Sequence, residues 1–304
     1  MAIARELLQP VEKDRAELER LVRPSVSYWR DAWRRLKMNR LAMLGLAMVL
    51  FLLAAAILGP ILSPYGYDDQ DLGRADQPPS MQHPCGTDRL GRDLLVRVLY
   101  GARISLSIGF VSSLINLTIG VAYGAISGFA GGRLDELMMR VVDILYAIPT
   151  LLVVIMLMVV LGSGLTNIYI ALGISYWLTM ARIVRGQILT IKEQEYVLAA
   201  RLIGVPYLRV LWKHLIPNAM GPIIVYSTLS IPNAIFLEAF LSFIGLGVAA
   251  PRASWGTLAS EGIQSMRSYP WQLFFPALAI SICLLGFNFL GDGLRDALDP
   301  RLRK

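Results

Sequence analysis

After about forty largely polar residues, the chain alternates between long uncharged runs and short charged segments. The first uncharged run, Leu41 to Leu62, is about the length that crosses a ~30 Å hydrocarbon core at ~1.5 Å per residue, so it predicts a first transmembrane helix. A polar segment, Ser63 to Arg103, sets Asp68, Asp69, Asp71, Asp76, Asp88 and Asp93 against Arg74, Arg89, Arg92, Arg97 and Arg103. Its near-neutral balance and its place after one span put it outside the cytoplasm. Ile104 to Gly132 is uncharged and predicts the second span, and Arg133, Asp135, Glu136 and Arg140 then form a short cytoplasmic link. The next uncharged run, Ile144 to Ala181, is too long for one span and is divided by Gly162, Ser163 and Gly164. It predicts a third span from about Leu137 to Leu161 and a fourth from about Leu165 to Val184. The fifth runs from about Ala219 to Leu237, with Pro222 and Pro232 as candidate kinks. After Glu238 come a glycine-containing apolar segment and a polar loop to Tyr269, and Ser268 to Gly291 supplies the sixth span. Six spans make an all-α membrane protein with both termini in the cytoplasm, the basic segments inside and the acid-rich loop outside.

Composition agrees with this pattern. Hydrophobic residues make up 55% and charged residues 17% of 304, with a mean hydropathy of +0.55, which excludes an ordinary soluble domain. The net charge of +7 comes from residues between spans and at the ends, so topology explains it and nucleic acid is not an expected partner. The first apolar run is too long for a signal-peptide core, and the first span is expected to stay as an anchor. Cys85 and Cys283 sit in unlike surroundings, and no disulfide or metal site is expected. His83 and His214 fall on opposite sides and read as surface or packing residues. Residues 1 to 24 lack apolar periodicity and read as a mobile cytoplasmic tail. Ser25 to Arg40 places Tyr28, Trp29 and Trp33 among five basic residues, which predicts a helix lying in the membrane interface.

The longest polar interruption in the apolar two thirds is Lys192 to Ala219, KEQEYVLAARLIGVPYLRVLWKHLIPNA. Glu195 to Ile203 has strong helix formers and no breaker, Gly204 suits a left-handed helix end, and Pro206 suits the first turn of a second helix. Two short helices joined at a glycine are expected. In the second, Leu208, Leu211 and Leu215 share one face and Arg209 and Lys213 another. By topology this pair lies in the cytoplasm.

Placed there, the stretch resembles the cytoplasmic loop of permease subunits of ATP-binding cassette importers, which reads E-A-A, three residues, G, nine residues, I, any residue, L-P. Ala199 and Ala200 take the alanines, Gly204 the glycine and Pro217 the proline, while Leu198, His214 and Ile216 depart from the pattern. The departure at Leu198 puts a particular ion pair to the ATPase in doubt, and Glu195 stands one turn earlier. His83 to Leu106, FLSFIGLG, PRASWG and FNFLGDGLRDALDP resemble the C-type permeases of peptide importers, and SPYGYDDQDL and ARIVRGQ look most like the oligopeptide branch, with dipeptide, nickel and glutathione importers as near relatives.

The resemblance implies a type I ABC importer permease fold, pairing with a second, B-type permease, two cytoplasmic ATPase subunits and an extracytoplasmic peptide-binding protein in a bacterial plasma membrane. It implies a non-catalytic subunit without a cofactor, with ATP and Mg bound by the partner ATPases; no G-x-x-x-x-G-K-[ST] loop occurs in the sequence. On this view residues 1–40 are tail and interfacial helix, 41–62 the first span, 63–103 the outer segment, 104–293 the transmembrane domain with its coupling loop at 192–217, and 294–304 a cytoplasmic tail. The coupling residues are Glu195, Ala199, Ala200, Arg201, Gly204, Pro206, Arg209 and Pro217. Glu238, Phe240, Phe243 and Leu246 are candidates for a pathway or gate, against a plainer reading of Glu238 as a structural carboxylate near the outer interface and of the others as packing. The rivals are a secondary transporter or channel, which would carry an intramembrane ion relay, a membrane-embedded enzyme, which would carry clustered His, Asp or Glu, and a structural subunit.

Overall fold

The computed structural model describes residues 27–299; over them the chain is built of helices, with an isolated β-bridge between Thr87 and Asp93. The tail expected over residues 1 to 24 lies outside the described residues. Helix α1, Tyr28–Met38, buries Ala32 and Leu36 and leaves Trp29, Trp33 and the basic side chains outward. Asn39 ends it and starts α2, Arg40–Leu62, where its side chain accepts from the Leu41 and Ala42 amides.

Near the far end of α2, Pro60 has no N–H, so the Ala56 carbonyl one turn back loses its helical donor. Arg103 replaces it, donating from Nε to Ala56 O at 2.6 Å and from its terminal nitrogen to Ile57 O at 2.8 Å. Arg103 is therefore a helical residue rather than the last of a loop. Helix α3, Leu94–Ile115, starts at Leu94 and not near Ile104, because Asp93 accepts from the Val96 amide and caps it. It continues through a π turn, Asn116–Gly120, into α4, Val121–Ala130.

The third span is not the single helix expected over 137–161. Helices α5, Gly132–Tyr146, and α6, Thr150–Leu161, meet at 77°. Pro149 supplies the reason: it lacks an N–H and biases Ile148 away from helical geometry. Helix α7, Leu165–Lys192, outruns the expected fourth span by two turns. After α8, Glu195–Leu202, a rod begins with α9, Tyr207–Val210, passes a π turn at Leu211–Leu215 and continues as α10, Ile216–Phe243, with Pro222 and Pro232 inside it. The second short helix of the polar stretch is thus the first turn of the fifth span. The loop to Tyr269 contains an unanticipated helix, α11, Trp255–Ser265, opened by a capping box of Ser254 and Thr257. Helix α12, Trp271–Leu298, closes the described chain.

Among the described residues, five helices are long and apolar enough to cross a membrane, and the bent α5–α6 pair, taken as one broken span, brings the number to six. One buried cluster joins α2, α3, α10 and α12 through Val49, Leu106, Ile235 and Phe287; another joins α3, α6, α7 and α10 through Ile108, Met158, Leu172 and Leu241. Leu50, Phe51, Ile57, Leu58 and Ile61 of α2 stay exposed, as lipid-facing residues of a span do.

Candidate functional site

At one end of the bundle, α8 and the start of the rod form an elbow. Its corner is a Schellman turn: the Gly204 amide donates to Arg201 O at 3.0 Å and the Val205 amide to Ala200 O at 3.1 Å. Gly204 has φ of +81°, a conformation that costs an L side chain roughly 1–2 kcal/mol. Pro206 follows as the N-cap of the rod, and the Arg209 and Val210 amides both donate to its carbonyl.

The elbow is seated on the ends of α4 and α7. Val197 of α8 and Val210, Leu211, Leu215 and Ile216 of the rod are buried against Ala125, Phe129, Val184 and Ile188. The Tyr207 ring lies 3.9 Å from that of Phe129 and its hydroxyl donates to Phe129 O at 3.2 Å, while the Arg201 guanidinium stands 5.2 Å from the same ring. Lys192 Nζ donates to Gly128 O at 3.0 Å. Below these, Asp135 accepts two bonds from Arg185, at 2.8 and 2.6 Å, and one from Ser127 at 2.5 Å, which ties α4, α5 and α7 together.

The opposite face of the elbow is apolar and uncovered. Leu202 is 88% exposed and Ile203 81%, with Tyr196, Leu198, Leu208 and Trp212 also outward. Six large apolar side chains on one short corner mark an interaction surface. Leu211 and Leu215 take the packed face as expected, but Leu208 is exposed, because Val210 fills the buried place in the first turn. Of the residues assigned to the loop, Ala200 is buried, while Glu195, Ala199, Arg201, Gly204, Pro206, Arg209 and Pro217 are all exposed. His214 is half-buried.

The gate candidates lie at the far end of the rod and do not form one wall. Glu238 is fully buried and accepts from Ser105 at 3.2 Å, Ser242 at 2.7 Å and Ser254 at 2.6 Å. The Ser105 hydroxyl in turn accepts from the Trp255 amide at 3.1 Å, so one carboxylate ties together α3, the rod and α11. Phe240 and Leu246 are half-buried in the α3–α6–α7–α10 cluster, and Phe243 is exposed.

Beside this knot lies a second polar group that sequence reasoning did not assemble. Asp88 holds Arg92 at 2.6 Å and also pairs with Arg97, which reaches Glu261 of α11 at 2.9 Å. His83 donates to Asp93 at 2.7 Å. Gln272, at the start of α12, donates to Asp76 at 2.7 Å and to Thr87 O at 3.1 Å, and so joins the segment before α3 to the last span. Gly91, at φ of +71°, lets this segment fold back: a Cβ there would sit 1.8 Å from Asp71 O. The charge alternation of residues 63–103 was visible in sequence, but the partners of Arg97 and Gln272 lie far along the chain. Cys85 is buried here without a disulfide partner among the described residues, and burial pushes its thiol up to about 11.

Comparison with known proteins fits this geometry. Residues 120–304 match the model of the binding-protein-dependent transport system inner membrane component, and residues 27–79 match the N-terminal TM domain of oligopeptide transport permease C. The chain is 53% identical over 302 residues to the oligopeptide transport system permease protein OppC of Bacillus subtilis, covering 99% of each. It is 54% identical over 294 residues to the dipeptide transport system permease protein DppC of the same organism, covering 96% of this chain and 92% of that one. To OppC of Escherichia coli K12 it is 44% identical, covering 91% and 92%. Among solved structures it is similar to an inward-facing MetNI methionine ABC transporter, with a TM-score of 0.55 at 19% identity, over 68% of this chain and 96% of that one.

Proposed function

The chain belongs to the family of binding-protein-dependent transport system inner membrane components, and from that premise we propose that it is the C-type permease subunit of an ATP-driven oligopeptide importer. In this reading it forms the pathway with a second, B-type permease; two cytoplasmic ATPase subunits bind ATP and Mg, and a binding protein delivers the peptide from outside. Both termini and the elbow lie on the cytoplasmic side of the bacterial plasma membrane, and the outer segment expected over residues 63–103 lies outside up to the start of α3 at Leu94. A dipeptide importer is the second reading, favoured by the equal identity to the dipeptide relative.

The uncovered apolar face of the elbow carries the assignment. A corner that presents Leu202, Ile203 and Leu208 outward while its other side is buried under Phe129 is built to be covered by something else. An ATPase groove lined with apolar groups is the partner we assign to it. Shape and apolar contact replace the carboxylate that Leu198 removes. Because the elbow is continuous with the rod, a push from closing ATPases is delivered along Tyr207–Phe243 to the Glu238 knot at the other end.

Replacing Gly204 by Asp tests this in the reconstituted complex. The charged side chain falls in the middle of the docking face, at a position where a Cβ meets nothing within this chain. Peptide uptake should be lost while the complex still assembles in the membrane and hydrolyses ATP. Normal uptake by that variant would remove the elbow from the mechanism.

A further inference from the structure

The basic, aromatic helix α1 is not used by the coupling reading, and its surroundings point to a ligand. Between α1 and the ends of α10 and α12 lies a narrow apolar groove lined chiefly by Trp29, Ala32, Trp33, Leu36, Ile224 and Leu294. Trp29 and Trp33 stand at its rim, 51% and 47% exposed. Successive residues rotate by about 100° around a helix, so Lys37, Arg30 and Arg34 follow the tryptophans as a basic row on the next strip of surface. Arg34 is paired with Asp31 at 2.7 Å. Lys37 sits over the Trp33 ring at 5.2 Å, and neither it nor Arg30 has a carboxylate partner among the described residues.

We propose that this groove is a binding site for one anionic phospholipid, with an acyl chain laid against Trp29, Trp33, Leu36 and Leu294 and the headgroup phosphate held by Arg30 and Lys37. The order around the helix, apolar groove, tryptophan pair, then cations, repeats the order of a lipid leaflet from chain to headgroup. Indole rings favour that boundary, and a basic side chain near an anionic surface contributes roughly a fivefold preference. The lipid would fasten α1 to the rod and to α12, where the Tyr28 hydroxyl already donates to Leu298 O at 3.2 Å. Charge complementarity selects a lipid over an apolar peptide segment, which would leave the two cations unmatched.

The test uses the assembled complex, purified and loaded with an equimolar mixture of phosphatidylglycerol and phosphatidylcholine of matched chains, with retained lipid counted by native mass spectrometry. The wild type should retain at least one phosphatidylglycerol per copy of this chain, with a preference over phosphatidylcholine of roughly tenfold or more. Arg30→Gln with Lys37→Gln should bring that preference close to one, and Leu294→Trp, which fills the groove, should remove the retained lipid of either kind. Equal retention of both lipids by the wild type, or unchanged phosphatidylglycerol in the two variants, would overturn the site. Neither result bears on the elbow, which Gly204→Asp tests separately. Should a variant fail to assemble, brominated phosphatidylglycerol added to the wild type decides instead: it must quench more tryptophan fluorescence than brominated phosphatidylcholine, and by a margin that disappears in Trp29→Phe with Trp33→Phe.

Discussion

The two ends of the bundle solve opposite problems. At the end that holds Asp88 and Glu238, charged and polar side chains are buried and paired with one another, and they knit together segments distant in sequence: residues 76–97, the tip of the rod, α11 and the start of α12. At the elbow end the arrangement is inverted. Charges such as Arg185 and Lys192 serve as braces beneath the corner, and large apolar side chains are left on the outside. A buried ionic network is specific in geometry and tolerates little sliding, whereas an apolar surface can be covered, uncovered and covered again at modest cost. The first suits a part that holds its shape within one chain. The second suits a part completed by another chain.

The sharpest way to break this comparison is to disrupt the Asp88 end. Asp88→Ala leaves Arg92 and Arg97 buried beside too little negative charge, since Glu261 is about half exposed and serves both. Breaking one partner of a buried pair costs about 3–5 kcal/mol, so the variant should melt well below the wild type and accumulate poorly in membranes. A melting temperature within a degree or two of wild type would mean that this end is not a structural lock.

The elbow should answer in the other way. Leu202→Asp and Ile203→Asp alter side chains that are 88% and 81% exposed, so each should shift the stability of the chain by less than about 0.5 kcal/mol. Each also removes about 1.5–3 kcal/mol of apolar burial from a docked complex, which is at least a tenfold loss of affinity. ATPase subunits should therefore copurify in clearly reduced yield, although the chain melts normally. Loss of thermal stability with copurification intact would reverse the roles assigned to the two faces.

Glu238→Gln is a finer probe, because it keeps the shape of the knot and exchanges one of the oxygens that three serine hydroxyls converge on for an amide NH2. A hydroxyl that loses its acceptor gives up a hydrogen bond that contributes about 1 kcal/mol net, so a measurable but partial loss of stability is expected. Because the carboxylate is wholly inside the chain, selectivity among peptides should not change. A shifted peptide preference would restore Glu238 to the pathway.

What could be read in advance divides along the same line. The first and last spans were legible because each is an uncharged run of membrane length, and the elbow because helix formers, Gly204 and Pro206 follow one another as local capping chemistry requires. The break at Pro149 was hidden inside a continuous apolar run, where hydropathy has no signal for a bend. Arg97 and Arg103 read from sequence as loop residues because a charge normally ends a span; the α2 carbonyls that Arg103 satisfies and the Glu261 that meets Arg97 belong to other helices. The Glu238 knot takes in Ser105, 133 residues away, a pairing that no local pattern encodes, whereas helix α11 does carry a local start signal in its capping residues Ser254 and Thr257. Asp135 and Arg185, the brace under the elbow, show in the sequence only as two charges 50 residues apart, with nothing local to pair them.

The smallest expected effect comes from Cys85, and it tests rigidity directly. Its thiol is buried among the groups of the Asp88 end and its pKa is pushed up to about 11, so at pH 8 only about one molecule in a thousand carries the thiolate that a maleimide attacks. An exposed cysteine with an ordinary pKa near 8.5 would react several hundred times faster. In the resting complex, labelling of Cys85 should therefore be slow and should speed up only when the chain unfolds; Cys283→Ser leaves Cys85 as the sole cysteine of this chain. If the lock keeps its internal bonds through the cycle, adding ATP and peptide-loaded binding protein should not change the labelling rate by more than about twofold, because the rod tip and α11 then move as one piece with the segment around Cys85. A large acceleration during turnover, absent when hydrolysis is blocked, would show that the lock opens in each cycle. Both ends would then be working surfaces, and the contrast between them would be one of chemistry without being one of role.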